Sequence, residues 1–242
     1  MIKTVTTFPE FIWYQIHEMD DQDRQWLTQD QHIPHEIINY AIDPYESARM
    51  EYDNSAQLAL MILDVVTPTS TRATTEPVGL LFSNDQKYLY TFTRRETAYV
   101  NDFLSGTAAS REDLPDSVTP IDIILNGTAV LAAKFMSAIL EINRRRNPIQ
   151  REINQVRQTQ KMIDGLMDLQ TDLIYLGNSL HTDADLLRAF RHRWQAKLTN
   201  AQIERIDDVL VEITQAMDTG DLSRQVTSSV ADAYVNLANS NL

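Results

Sequence analysis

Hydrophobic and polar positions divide the chain into two parts with different periodicity. In the first part, short apolar and aromatic runs alternate with polar segments, as in the strands of a sheet. These runs are FIWYQI, ARMEYD, QLALMILDVV, VGLLFS and KYLYTFT. The third is apolar at almost every position, which predicts a central strand covered on both faces. From about Val118 onward helical spacing replaces the strand patterns. The pattern therefore predicts an α+β fold with its sheet in the first half.

Helical patterns and turns lie between the predicted strands. MDDQDRQWLTQDQ places its acidic residues in the first turn, where they interact favourably with the helix dipole. A second helix enters at Pro34, and a third is predicted to end at Gly106. Asn84 supplies turn chemistry for a hairpin, and TPTSTRATTEP is predicted to be a polar loop.

Three long helices are predicted in the second part. The first covers residues 121–160 and is bent near Pro148. The second, KMIDGLMDLQTDLIYLGNSLHTDADLLRAF, repeats apolar residues at steps of three and four. The third begins at a capping box formed by Thr199 and Gln202. Three units follow from this pattern: a sheet-and-helix domain at 1–117, two long helices packing on it at 118–198, and a C-terminal helix at 199–242.

The C-terminal helix carries an apolar seam whose members are spaced by 4, 3 and 4 residues, as in coiled coils. The seam consists of Ile206, Leu210, Ile213 and Met217. A helix that continues to Leu242 is roughly 60 Å long, whereas an ordinary domain spans about 30 Å. We therefore expect part of this helix to contact other helices, most simply those of further copies. Packing on its own domain is the alternative.

Composition restricts the chemistry. The 242 residues include no cysteine, which excludes disulfides and cysteine-ligated metals. The net charge of −13 opposes binding to nucleic acid and to anionic lipid, and it favours cations. The N-terminus lacks the pattern of a signal peptide, and no uninterrupted apolar run approaches the ~20 residues of a membrane span.

Several segments, in their order along the chain, resemble the cytosolic part of CorA-type magnesium and divalent-cation transporters. The resemblance is carried by IPHEIINYAIDPYESARMEYD, VGLLFSNDQKYLYTFTRRETAYVNDFLSG, MIDGLMDLQTDLIYLGNSLHTDADLLRAF and SSVADAYVNLANSNL. It implies an αβα sandwich with a mixed sheet, followed by long antiparallel helices and a C-terminal stalk helix. It also implies that the stalk helix continues beyond Leu242 into two membrane spans, so that the sequence stops before the first of them.

The resemblance further implies a function. The chain would be the regulatory and gating region of a passive divalent-cation channel, not an enzyme, on the cytoplasmic side of the cell membrane. Five copies would surround the cation path in the whole protein, and Mg²⁺ bound between neighbouring cytosolic domains would hold the assembly closed. Without its membrane spans the chain is expected to be a monomer or a weak oligomer.

Three carboxylates are candidate metal ligands by this resemblance. Asp208 occupies the position of the family's regulatory carboxylate on the stalk, and the adjacent Asp207 is its substitute. Asp232 falls where the stalk presents an acid towards the central path. Hard cations such as Mg²⁺ prefer oxygen ligands and keep much of their water, so a few carboxylates suffice.

The partner positions of that metal site depart from the family pattern. Where acids are expected, this sequence has Asn39, Tyr40, Ala132 and Ala133. Because carboxylates contribute most of the binding free energy for a hard cation, we expect a degraded Mg²⁺ sensor that binds weakly.

Two other functions stay open at this point. A soluble interaction protein that assembles through its C-terminal helix would use the same apolar seam. An acid-dependent hydrolase has only scattered carboxylates in its favour, and its two acids would have to converge in one pocket.

Overall fold

The computed structural model describes residues 1–68, 72–109, 114–153 and 159–240. It contains six strands and six α-helices, with a short 3-10 turn at Arg95–Thr97. The strands are β1 (Ile2–Val5), β2 (Ile12–His17), β3 (Arg49–Asp53), β4 (Leu58–Pro68), β5 (Ala73–Ser83) and β6 (Tyr88–Thr93). The helices are α1 (Asp21–Gln29), α2 (His35–Ile42), α3 (Tyr99–Ala109), α4 (Pro120–Arg151), α5 (Thr159–Trp194) and α6 (Asn200–Ser240).

The strands form one mixed sheet in the order β1-β2-β6-β5-β4-β3. Strands β2 and β6 are parallel, with Ile12 opposite Tyr88 and His17 opposite Thr93, and the other neighbours are antiparallel. Parallel neighbours require a crossover, which the chain makes through α1, α2 and the β3–β5 strands. The predicted mixed sheet is confirmed.

Both faces of the sheet are covered, so the sandwich architecture is also confirmed. Along β4, Met61 and Leu63 belong to the core shared with the long helices, whereas Leu60 and Ile62 belong to the core shared with α1 and α2. This alternation follows from the two-residue period of a strand. All four side chains are almost inaccessible to solvent, as the apolar run predicted.

The β4–β5 hairpin is longer than the sequence pattern indicated. The segment TPTSTRATTEP was expected to be a loop, but pairing continues from Leu58 opposite Ser83 to Pro68 opposite Ala73. Cross-strand hydrogen bonding and threonine, a good strand former, outweigh the polar composition. Strand β1 was not predicted, because its four residues are only partly buried and lie at the sheet edge.

Two helix ends differ from their predictions. Helix α3 passes through Gly106 and ends at Ala109, and no glycine in the described residues has a positive φ. Gly106 is therefore a helical residue and not a left-handed cap. Helix α4 passes through Pro148 and ends at Arg151, three residues later. The predicted continuation through residues 154–158 lies outside the described residues.

Helix α6 begins at the predicted capping box. The Thr199 N–H donates to Gln202 Oε1 over 3.0 Å, and the Gln202 N–H donates to Thr199 Oγ1 over 3.1 Å. The apolar seam is covered by the chain itself: Ile206 and Ile213 are buried, and α6 packs along α4 and α5. At the apolar seam, α6 therefore contacts helices of its own chain.

One continuous core joins the sheet to the three long helices. It includes Met61 and Leu80 of the sheet, Phe135 of α4, Leu176 of α5 and Ile213 of α6. Because these side chains form one cluster, a displacement of the helices is transmitted to the sheet by packing. The division of the chain at residues 117 and 198 stays a prediction.

Helix α4 is, among the described residues, the one helix long and apolar enough to cross a membrane by length and composition alone. Over half of its most apolar stretch is buried inside the protein, as expected for a core helix. Ile123, Ile124 and Phe135 supply much of that buried surface. The apolar composition of α4 is thus explained by packing against its neighbours.

Candidate functional site

The principal candidate, Asp208, lies in the third turn of α6 beside a cleft between the N-terminal ends of α4 and α6. The cleft has a volume of about 550 Å³. Its polar lining residues are Ser117, Thr119, Asp122, Asn126, Thr199, Gln202, Glu204, Arg205 and Asp208. The capping boxes at the starts of the two helices hold this end of the bundle in place.

The carboxylates of the cleft differ in what they already bind. Asp122 accepts the Thr119 N–H over 2.8 Å and the Gln202 side-chain amide over 2.9 Å, so it is a structural cap. Glu204 and Asp208 are exposed and lie one turn apart on the same face of α6. These two are the carboxylates of the cleft best placed to meet an ion or a second molecule.

Asp207, the predicted substitute ligand, joins α6 to α5. Its two oxygens accept from Arg191 Nε and Nη2 over 2.8 and 3.1 Å, a bidentate ion pair. The Asp207 carboxylate hydrogen-bonds to and attracts the Arg191 guanidinium, which raises the pKa of Arg191. Using Asp207 as a metal ligand would require breaking this pair.

Asp232 lies far from Asp208 along the same helix. The two are separated by 24 positions, roughly 36 Å at the rise of an α-helix. Asp232 is exposed near the C-terminal end of α6, whereas Tyr234 faces the bundle and is buried. The structure therefore does not bring the predicted stalk carboxylates together within one chain.

The predicted partner positions on α2 carry other interactions. Asn39 Oδ1 accepts from Arg24 Nη1 over 2.9 Å. The Tyr40 hydroxyl donates to Glu36 over 2.7 Å, and the Arg49 guanidinium lies 4.7 Å from the centre of its ring. The hydrogen bond to the Glu36 carboxylate raises the pKa of Tyr40.

Acidic residues that the sequence analysis did not single out lie on this same surface. Glu46 binds Arg49 Nε over 3.2 Å, Glu51 contacts the same guanidinium, and Glu36 reaches it through Tyr40. Glu36 lies one helical turn before Tyr40 on α2, Glu46 precedes β3, and Glu51 lies in β3. The four-residue spacing of Glu36 and Tyr40 was the sequence signal for this group.

The two alanines occupy different environments on α4. Ala132 is buried in the main core, where a carboxylate would be costly, whereas Ala133 is exposed. Within the described part of the chain, no three His, Cys, Asp or Glu side chains converge to hold a metal ion. The donor chemistry of Glu204 and Asp208 fits a hard cation, but a further carboxylate or retained water would have to complete the coordination.

Buried carboxylates on α5 form a second group that the sequence analysis missed. Asp172 accepts from Arg72 Nε and from the Ala73 N–H over 2.8 and 3.0 Å, at the far end of the β4–β5 hairpin. Asp183 accepts the Asp64 N–H over 2.9 Å, at a point of β4 beyond the last pairing with β3. These contacts fasten α5 to the longest hairpin of the sheet.

Asp183 and Asp64 are close enough to influence each other. Burial, reinforced by the negative charge of Asp64, raises the pKa of Asp183 well above its usual range. Burial also raises the pKa of Asp64, against the opposing effect of a hydrogen bond to Ser179. The pair joins α5 to β4. Local sequence patterns did not reveal it because the two residues are far apart in the sequence.

One family model matches nearly the whole chain. The family model described as "CorA-like Mg2+ transporter protein" matches residues 9–242. Comparison with curated protein sequences finds no significant match.

Solved structures with the same fold include a complete magnesium transporter and isolated soluble and cytoplasmic domains. The complete CorA magnesium transporter from Methanocaldococcus jannaschii superposes with a TM-score of 0.83 at 16% identity, covering 96% of this chain and 71% of that one. The soluble domain of the same transporter gives 0.80 at 16% identity, covering 94% and 89%. The ZntB cytoplasmic domain from Vibrio parahaemolyticus gives 0.69 at 12% identity, covering 96% and 90%.

Proposed function

Because this chain belongs to the CorA-like Mg²⁺ transporter family, we propose that it is the regulatory region of a divalent-cation channel, on the cytoplasmic side of the cell membrane. Its role is to bias the pore between closed and open states, and it catalyses no reaction. The observation that carries this proposal is the family match over residues 9–242, together with a sheet fastened to three long helices by one core.

The fold is suited to transmitting a signal along α6. This helix has 41 residues, roughly 60 Å, and its N-terminal half is held by α4, by α5 and by the Asp207–Arg191 pair. A ligand that binds beside its first turns therefore acts on one end of a stiff element. Ion binding that favours one arrangement of subunits shifts the population towards it by its differential affinity.

The regulatory ion in this proposal is Mg²⁺ bound between subunits of a homopentamer. Asp208 and Glu204 provide oxygen ligands at an exposed edge, and a single chain supplies no complete site within its described residues. A neighbouring subunit would complete the coordination, and Glu36, which accepts the neutral Tyr40 hydroxyl, is the carboxylate proposed for this purpose. Glu46 and Glu51 are less suited because they would first have to release Arg49. The transported cation would follow a path that Asp232 faces.

Disulfide trapping tests whether Asp208 faces a neighbouring subunit. The 242 residues contain no cysteine, so the double variant D208C/E36C reports this one contact in a membrane-embedded full-length protein whose other cysteines, where present, are replaced by serine. We expect oxidised products at two to five times the subunit mass on a non-reducing gel, formed faster with millimolar Mg²⁺ because the ion closes the assembly.

The matched control is D232C/E36C, which moves one cysteine roughly 36 Å along the same helix. Trapping of both pairs at equal rates, or no trapping of D208C/E36C with Mg²⁺ present, would contradict the placement of the regulatory site between subunits.

The alternative, a soluble protein that assembles through its C-terminal helix, has lost its main support. The apolar seam that suggested it is covered by α4 and α5 of the same chain.

A further inference from the structure

After the neighbouring parallel strands β2 and β6, the chain continues to opposite faces of the sheet. After β2 the chain continues to α1 and α2, which cover one face, and after β6 it continues to α3, which covers the other. At such a point the connections diverge beyond the carboxyl ends of the strands and leave a crevice. Open sheets with parallel strands bind small ligands preferentially at this position.

A cavity of about 140 Å³ lies at this crevice, on the side covered by α2. Its apolar walls are formed by Ile16, Met19, Ala41, Ile42, Pro77 and Phe92. An apolar cavity of about 150 Å³ accommodates benzene. The space therefore suits an apolar group of about six heavy atoms.

Close backbone packing fixes one wall of the cavity. A Cβ at Gly79 of β5 would lie 2.8 Å from the carbonyl oxygen of Ala41, so only glycine permits this approach of α2. The last turn of α2 is thereby held against the sheet with its terminal carbonyl groups near the cavity. Such groups carry the negative end of the helix dipole and favour a positive ligand group.

Two side chains of opposite charge, Glu18 and Arg94, also line the cavity. One oxygen of Glu18 accepts the N–H of Arg95 over 2.5 Å, and its backbone is held at a positive φ of 44°. Arg94 Nη2 donates to Glu76 over 2.5 Å. A carboxylate has a second oxygen and a guanidinium has five N–H groups, so each retains capacity for a ligand.

We propose that this cavity binds a small α-amino acid with a branched aliphatic side chain. The side chain enters the apolar space, the ligand carboxylate meets Arg94, and the ligand ammonium meets Glu18 and the end of α2. The presence of both charges beside one apolar space distinguishes this zwitterion from a simple carboxylate or a simple amine. The site lies on the sheet domain and does not depend on the transport proposal.

A matched ligand series tests each part of the recognition. Calorimetric titration of the wild-type chain would compare L-leucine with 4-methylpentanoate, which lacks the ammonium, 3-methylbutylamine, which lacks the carboxylate, and glycine, which lacks the side chain. We expect L-leucine to bind about tenfold or more tightly than each of the others, because each loses a charge-assisted hydrogen bond or the apolar contact. Equal affinity for L-leucine and either singly charged analogue, or no saturable binding of L-leucine, would overturn the proposal.

Variants locate the binding. I42W fills the rim while keeping both charges, and it should abolish leucine binding. R94Q should lower leucine affinity about tenfold, whereas R95Q, its exposed neighbour outside the cavity, should not. In the second pair of variants, E18Q should lower leucine affinity, whereas its exposed control E96Q should not.

A spectroscopic readout keeps the test independent of the variants' stability. The methyl resonance of Met19 in the wild-type chain should shift on addition of L-leucine, since Met19 forms part of the wall. Binding that leaves this resonance unchanged, or that persists in folded I42W, would place the ligand elsewhere and refute the assignment.

Discussion

Single buried carboxylates connect the long helices to the sheet. Asp172 and Asp183 on α5 accept backbone N–H groups from the β4–β5 hairpin, where strand pairing leaves those donors available. A buried donor without a partner is costly, so each contact both satisfies the sheet edge and positions the helix. Asp183 performs this task while burial and Asp64 disfavour its charge.

This conflict makes stability depend on pH. The folded-state pKa of Asp183 is raised above its unfolded value of about 3.9, so its stabilising contribution is complete below pH ~3.9. That contribution is lost as pH rises through the raised folded pKa. D183N keeps an oxygen that accepts the Asp64 N–H and removes the charge. We predict a higher Tm for D183N at neutral pH, by about 2–4 °C per kcal/mol of relieved repulsion.

Thermal unfolding between pH 4 and 8 measures this effect. D185N, at an exposed position on the same helix, is the control and should leave the pH dependence unchanged. A D183N protein that melts at a lower temperature than the wild type at pH 7 would show that the ionised carboxylate is the stabilising form.

Helix α4 meets α6 through a buried arginine. The Arg146 guanidinium donates to Asn143, Ser223 and Thr227, all neutral, at 2.8–3.4 Å, and no carboxylate accepts from it among the described residues. Its Nε is buried without a hydrogen-bond partner, and burial lowers the pKa of Arg146. The contact between α4 and α6 therefore buries a positive charge whose lost hydration is only partly replaced by hydrogen bonds.

Replacing this arginine by an apolar residue of similar length tests that interpretation. We predict that R146M leaves the free energy of unfolding unchanged or raises it by about 1 kcal/mol, because a buried charge is removed while Ser223 and Thr227 keep their own acceptors. Denaturant titration is the measurement, with the exposed R144M as control. A loss of about 3 kcal/mol or more would mean that the guanidinium contacts stabilise the helix pair.

Strands and helices could be predicted where the residues of the element itself form a clear sequence pattern. The continuous apolar run of β4 and the Thr199–Gln202 capping box both predicted what the structure contains. The β4–β5 hairpin was longer than predicted because cross-strand pairing overrode the polar composition of TPTSTRATTEP. Helix α3 continues through the exposed Gly106, and no packing contact among the described residues explains why it does not end there. Asp183 was missed because its partner Asp64 lies 119 residues away.

The metal site was less predictable than the fold. The resemblance pointed to Asp208, which lies at an exposed cleft, but it could not show that Asp207 is held by Arg191. Nor could it show that Glu46 and Glu51 surround Arg49 near the positions where acids were expected. Coordination that is completed by a second subunit cannot be obtained from the sequence pattern of one chain.

At the scale of the whole molecule, the sheet and the long helices share one hydrophobic core. This core extends from the strands to α6, and the cleft beside Asp208 lies at the N-terminal end of that helix. Such an arrangement allows ion binding at the surface to alter the position of a distant helix end without unfolding either layer. Assembly of several copies would place their α6 helices around one axis.

The measurement that tests this account most directly is divalent-cation flux through the full-length protein in liposomes. Entry of Mg²⁺ down its gradient would be followed with an internal indicator dye while Mg²⁺ on the side of this chain is varied. We predict passive flux that millimolar Mg²⁺ on that side suppresses, and suppression that needs about tenfold more Mg²⁺ in D208N, as expected when one charged ligand is lost. Absence of any divalent flux, or flux that is indifferent to Mg²⁺ on that side, would contradict the account.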